Sequence, residues 1–517
     1  VLWFRGFLEK NKVMTETLPE LLCSDAWWQR VGPALSADGR ALVKETLTQA
    51  AAKLDDKEKE KFTEALTALR APSEEQLAWL RDVAAVPNLE DLSNILICHP
   101  DTGAPINLEN HQLPAVTFKG AVFAGKADFG RATFMGEANF MEAMFTGEAN
   151  FWGAKFAGKA NFWKATFAGK ASFTEATFAG EIYFLQATFT AEANFWKTTF
   201  TREANFIHAK LAGEANFWGA KFAGKANFWK ATFAGKARFT EATFTGEAQF
   251  LQATFMSEAD FQHAEFLGIT IFREAHFKQV ASFHAARFSK TVSFRGSDWG
   301  AVPDFIGTAW KDGVAIADFV QLQTQLNKGE LDWRNPSTSD PAPITDRLQA
   351  LRKMARDADD RPRELDYFAL ELQARYQGKG AWAKRFLVNL YGWFSDYGRG
   401  VFLPLRGLVE LCLLSMLCYW VLADGDGSVL SKDRLFAMTY GVLPDVDWSL
   451  WDNALLFSLV NALPPLGASS WVRESILKAS YCEEVRSLVG FIAVGEGVIG
   501  LILLFLIALG LRNRFRL

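Results

Sequence analysis

Residues 149–170 read ANFWGAKFAGKANFWKATFAGK, and residues 215–236 repeat them letter for letter. Inside this stretch an 11-residue unit of the form A-N-F-W-x-A-x-F-A-G-K/E recurs, and it fits about sixteen times between residues 115 and 295. Phe118, Phe123, Phe129, Phe134, Phe140, Phe145 and Phe151 open a ladder of alternating five- and six-residue steps. The ladder runs on to Phe288 and Phe294 and is broken once, by Leu211. A fixed period of this kind specifies a solenoid. The identical segments lie 66 residues apart, and the 22 residues after each differ at only six positions, so the block holds an internal duplication in register.

The repeat resembles the pentapeptide-repeat family in its Phe-rich form. The resemblance rests on the alternating steps and on the Ala that stands two places before most of the Phe residues. It implies a right-handed quadrilateral β-helix in which Phe and the preceding Ala face inward and two units make one coil of 22 residues. About eight coils then stack at the strand spacing of ~4.8 Å. Stacking at period 22 predicts surface columns. The residue after Phe gives Met141, Trp163, Leu185, Ile207, Trp229 and Leu251, all apolar at a position that should face water. Two readings compete for this stripe: a contact surface for self-association or for docking the chain's own helices, or rings that lie flat and cover their own backbone. The opposite column is mixed: Trp152, Thr174, Trp196, Trp218, Thr240 and Gln262.

Charge argues against nucleic-acid mimicry. Family members that imitate DNA need a predominantly negative surface, whereas residues 115–295 carry 20 Lys and Arg against 15 Asp and Glu. Two columns mostly alternate in sign along the stack, Lys126-Glu148-Lys170-Glu192-Glu214-Lys236-Glu258 and Glu137-Lys159-Glu181-Glu203-Lys225-Glu247. Such exposed pairs stabilise by only ~0–1 kcal/mol each.

The chain of 517 residues, with net charge −4 and half its residues apolar, is long enough for about three domains. No signal peptide is expected in VLWFRGFLEKNK. Residues 1–110 read as a helical N-terminal region, with Leu42, Val43, Leu47, Leu54, Phe62, Leu66 and Leu69 at helical spacing and a second start at Ser73. Residues 296–400 read as a loop-rich link followed by two helices, about 345–357 and 362–376. The latter segment resembles the helical hairpin that follows the repeats in membrane-bound members of the family.

Residues 401–517 read as a membrane domain. Two stretches, about 401–423 and 487–511, reach the ~20 apolar residues a span needs. Lys384, Arg385, Arg399 and Arg406 flank the first and Arg512, Arg514 and Arg516 follow the second, while loop 424–486 holds nine acidic and five basic residues. The positive-inside rule then places both termini and the β-helix on the cytoplasmic side of an inner membrane. Between the spans, 448–463 is too short to cross and reads as a re-entrant or interfacial helix that Pro464 and Pro465 stop.

Span, short helix, turn and span resemble a degenerate two-span pore domain. Asn461, Pro464, Pro465 and Gly467 fall where a filter would lie. Two prolines of fixed φ beside a single Gly disfavour a potassium filter. On the second span Gly490, Ala493, Gly497 and Gly500 share a face that suits close helix approach or a pore. Glu496 is an ionisable residue in an apolar helix and hence a functional candidate. The alternative places it near the outer headgroups, ~24 Å from Arg512 at 1.5 Å per residue. Glu410, one turn past Arg406, reads as a snorkelling pair.

No catalytic residue, metal site or cofactor is expected. The six His and five Cys show no ligand spacing, and no phosphate loop or nucleophile elbow stands out. The sequence thus points to a non-enzymatic membrane protein in contact with the lipid bilayer. Its leading form is a homo-oligomeric, channel-like assembly, and the alternative is a membrane-anchored scaffold whose β-helix binds a protein partner.

Overall fold

The computed structural model describes residues 17–83, 86, 89–311, 316–328, 343–376, 382–423, 448–463, 470–481 and 483–515. The chain divides into two compact units, Val1–Ala350 and Leu351–Leu517.

The first unit is a parallel β-solenoid of about ten turns. Its strands are two residues long and stack into four sheets of 10, 10, 9 and 8 strands, one for each side of the coil. Beyond the first coil partners lie 22 residues apart, as in Ala138↔Ala160↔Ile182. This period brings like residues together. Phe129 and Phe151 stack with centroids 4.7 Å apart and planes 1° off parallel, while Phe140 meets Phe151 edge-on at 87°. The ladder Phe residues and their preceding Ala are buried almost without exposure. Ala is the usual neighbour of the four packed Phe columns, and Ile182, Thr270 and Val292 take the same buried position elsewhere in the stack.

One corner of each half-coil turns through a residue in the left-handed region. Lys164 at φ 55° is an example, and the Ala165 N–H closes that turn on the Phe162 carbonyl at 3.0 Å. The other corner is crowded: a Cβ on Gly169 would stand 2.2 Å from the Gly147 carbonyl oxygen of the coil below.

The strands run beyond 115–295 in both directions, from Leu96–Ile97 to Ala309–Trp310. Ile97, Leu113, Trp299 and Trp310 pair in register with Phe123, Phe134, Phe277 and Phe288. A period keyed on Phe passes over them because other large apolar residues fill the same columns. The stack of about eight coils expected from that period therefore grows to about ten, and the stretch after 295 begins as solenoid rather than as a loop-rich link.

Among the described residues five helices precede the solenoid: α1 Leu18–Cys23, α2 Asp25–Val31, α3 Ala37–Ala52, α4 Asp56–Thr67 and α5 Glu74–Arg81. Ser36, Asp55 and Ser73 cap the last three through side-chain acceptors, as their sequence positions dictate. Trp27, Trp28, Val43, Leu47, Phe62 and Leu66 form one apolar cluster with Val122, Ala124, Met144 and Ala168 on a single side of the solenoid. Trp79 of α5 covers the first coil against Phe118. At the other end Phe319 lies over Phe294, Trp299 and Phe305, ahead of helix α6 Val320–Lys328. A solenoid must cover its terminal coils in this way to remain soluble.

Helix α7, Ile344–Asp357, and α8, Arg361–Arg375, stand where the sequence places them, and α9, Trp382–Ser395, follows. Among the described residues two helices are long and apolar enough to cross a membrane: α10, Phe402–Leu422, and residues Val485–Arg512 of α13, Glu483–Phe515. Between them lie α11, Trp448–Ala462, and α12, Ser470–Ser480. In α7 and α8, Glu364 is ringed by Arg356 at 3.0 Å and Arg361 at 2.6 Å. Burial alone would raise its carboxyl, but these guanidiniums hold it below the usual carboxylate range.

Candidate functional site

Helices α10, α11 and α13 pack on one another, and their polar side chains converge. Glu496 of α13 is 3 % exposed and faces the other two helices. The Tyr419 hydroxyl of α10 donates to its Oε2 at 2.6 Å, and the Ser458 hydroxyl of α11 lies 2.5 Å from its Oε1. Ser415 adds a further side-chain hydrogen bond. Ser458 also bonds the Cys412 carbonyl oxygen at 3.0 Å, and the Tyr481 hydroxyl donates to the Tyr419 carbonyl at 3.3 Å. All of these partners are uncharged hydroxyls and carbonyls. Around them Phe457, Val485, Val489 and Ala493 supply an apolar wall.

Asn461 is fully buried one turn beyond Ser458. Neither atom of its amide makes a hydrogen bond of acceptable geometry, although it interacts with the Tyr419 hydroxyl. The small face of α13 receives the end of α11. The Asn461 carbonyl oxygen comes within 3.3 Å of a Cβ placed on Gly497, and Ala462 crowds Gly500 more closely still. Nothing lies within 4 Å of a Cβ on Gly490. Pro464, Pro465 and Gly467 lie outside the described residues. The Arg406 Nε meets Glu410 Oε1 at 2.7 Å on the exposed surface of α10.

Away from this cluster the helices present apolar side chains outward, among them Leu413, Leu414, Phe491, Val494, Val498, Ile502 and Phe505. Sequence reasoning singled out Glu496, Asn461, Gly497 and Gly500 but missed Tyr419, Ser415 and Ser458. The spacing of Ser458 and Asn461, on one face of an apolar helix, was the available signal.

On the solenoid, the stripe residues Met141, Trp163, Leu185, Ile207 and Leu251 are half-buried and Trp229 is exposed. Lys164 and Lys230 reach back over the rings of Trp163 and Trp229, with Nζ 4.5 and 5.3 Å from the centroids. None of the six belongs to the cluster formed with the N-terminal helices, which use the adjacent side. In the charge columns Lys170 meets Glu192 and Lys236 meets Glu258, each at 3.0 Å across one coil.

Among the described residues, no group of three or more His, Cys, Asp and Glu is placed to hold a metal ion. Burial pushes the Cys98 thiol up to about 12, too high for a useful thiolate. Comparison with curated proteins gave no match, and comparison with solved structures gave none. The family model for pentapeptide repeats (nine copies) matches residues 115–155, 151–199 and 228–276, all within the solenoid, on a chain whose described residues include two apolar helices of membrane-spanning length.

Proposed function

We propose that this is a non-enzymatic inner-membrane protein of channel-like organisation, homo-oligomeric, with the β-helix and both termini on the cytoplasmic side. The observation that carries this reading is the docking of α11 between α10 and α13 through Ser458, Asn461 and Glu496. A mere anchor needs only apolar spans. Burying an acid, an amide and hydroxyls among such helices is costly, and function is the usual reason for it. The adjoining Pro464 and Pro465 argue against potassium selectivity, since their φ is fixed. Native mass spectrometry of the full chain in nanodiscs, with ion flux into liposomes, tests the reading. Rings of protomers and a leak changed by Gly497→Leu are expected; monomers without leak would overturn it.

A second reading, a membrane-anchored scaffold, is favoured by the stripe that the N-terminal helices leave uncovered. Trp163→Glu with Trp229→Glu would then abolish capture of a protein partner without altering the protein's oligomeric state in nanodiscs.

A further inference from the structure

We propose that the Glu496 carboxyl is a proton-binding site whose proton is donated to Ser458. Ser458 Oγ lies 2.5 Å from Glu496 Oε1 and 3.0 Å from the Cys412 carbonyl oxygen. A hydroxyl has one proton to give and two lone pairs with which to accept. The carbonyl can only accept, so the Ser458 proton points to Cys412. The short contact to Oε1 then takes its proton from the carboxyl. Oε2 stays an acceptor for the Tyr419 hydroxyl at 2.6 Å. With this assignment each of these contacts has one donor and one acceptor, and all three fall within the O–H···O hydrogen-bond range.

The surroundings agree. From α10, Cys412, Ser415 and Tyr419 face the carboxyl; from α11, Ser458 does, while Asn461 meets the Tyr419 hydroxyl; and Tyr481 backs Tyr419. The titratable members of this set, Cys412, Tyr419 and Tyr481, become anions, and among the described residues no cation contributes to the carboxyl's surroundings. A carboxylate here would be a buried charge held by hydroxyls alone.

The site therefore couples proton occupancy to helix docking. When Glu496 gives its proton to water, Ser458 must turn its own proton toward the carboxylate. The Cys412 carbonyl then loses the bond that ties α11 to α10. Glu496 thus serves as a protonation latch on the short helix.

This inference rests on the membrane-embedded reading of these helices, yet its readout does not use flux, so a failure to conduct would leave it standing. Infrared spectra of the full chain in lipid vesicles at neutral pH should show the carbonyl stretch of a protonated acid. That band should vanish in Glu496→Gln and shift in Ser458→Ala. Wild-type and Glu496→Gln spectra that coincide in this region would overturn the proposal. Protection of Trp448–Ala462 against hydrogen exchange, taken relative to the base-catalysed intrinsic rate, should fall at least several-fold at alkaline pH in the wild type and stay constant in Glu496→Gln. Equal pH responses in the two proteins would overturn the latch.

Discussion

The carbonyl oxygen of Ala462 stands 2.2 Å from the place a Cβ on Gly500 would occupy. The short helix α11 thus ends against the bare backbone of α13, and Gly500 is fixed by that approach alone. Gly500→Leu should drive the two helices apart at a cost of ~1–3 kcal/mol, as overpacking does. Faster hydrogen exchange across Trp448–Ala462 is the readout. Gly490→Ala, which meets nothing, is the control and should leave exchange unchanged.

Leu211 occupies the place of a ring between Phe189 and Phe233, in register with both. Leu211→Phe should complete that column and stabilise the solenoid by ~0.5–1.5 kcal/mol through two new stacked pairs. The opposite change, Phe228→Ala, removes a ring stacked on Phe206 and Phe250 and should cost ~3–5 kcal/mol. Chemical denaturation followed by circular dichroism compares the three proteins; a Leu211→Phe midpoint below the wild type would refute the first expectation.

Glu175 holds φ 56° at a corner where Gly153 stands one coil earlier. The left-handed region costs a residue with a Cβ ~1–2 kcal/mol. Glycine relieves that strain but loses more entropy on folding. Glu175→Gly should therefore raise the unfolding midpoint modestly, and Glu241→Gly, at φ 56°, should match it. A lower midpoint in both variants would show that the side chains contribute more than the strain removes.

Asp298 joins the far end of the solenoid to helix α6. It accepts from Lys278 Nζ at 2.9 Å and from Gln325 Nε2 at 2.6 Å. Burial would raise its carboxyl, but the Lys278 and Gln325 hydrogen bonds and the Lys278 charge outweigh it and hold the group below the usual carboxylate range. A folded value below the unfolded value of ~3.9 means stability that is complete above that pH and lost as pH falls through the folded value. Protection of Val320–Lys328 against hydrogen exchange should accordingly drop in acid. Asp298→Asn should show weakened protection already at neutral pH and a smaller acid response; full protection in that variant would refute the role.

Legibility in the sequence followed periodicity. The solenoid was readable because one residue type marks every turn, and α7, α8, α10 and α11 were readable from apolar spacing and length. The outer coils were hidden because Ile97, Leu113, Trp299 and Trp310 fill Phe columns without the Phe signature. The covers at either end were not legible as covers: Trp79 shows only the spacing of its own helix and Phe319 belongs to no repeat, and each meets the coils once. Glu496 stood out as an acid in an apolar run. Its partners Tyr419, Ser415 and Ser458 did not, because isolated hydroxyls in apolar helices are common and only their convergence in space gives them meaning.

The duplication at residues 149–170 and 215–236 spans whole coils, and each coil advances the stack by ~4.8 Å. Adding or deleting 22 residues would leave all four Phe columns aligned and both covers able to seat on their own coils. Rod length is thus a quantity that copying can change in fixed steps without a new folding problem. In mechanical terms the β-helix is a ruler, and the distance between its two covered ends is set by a count of coils rather than by the identity of any single side chain.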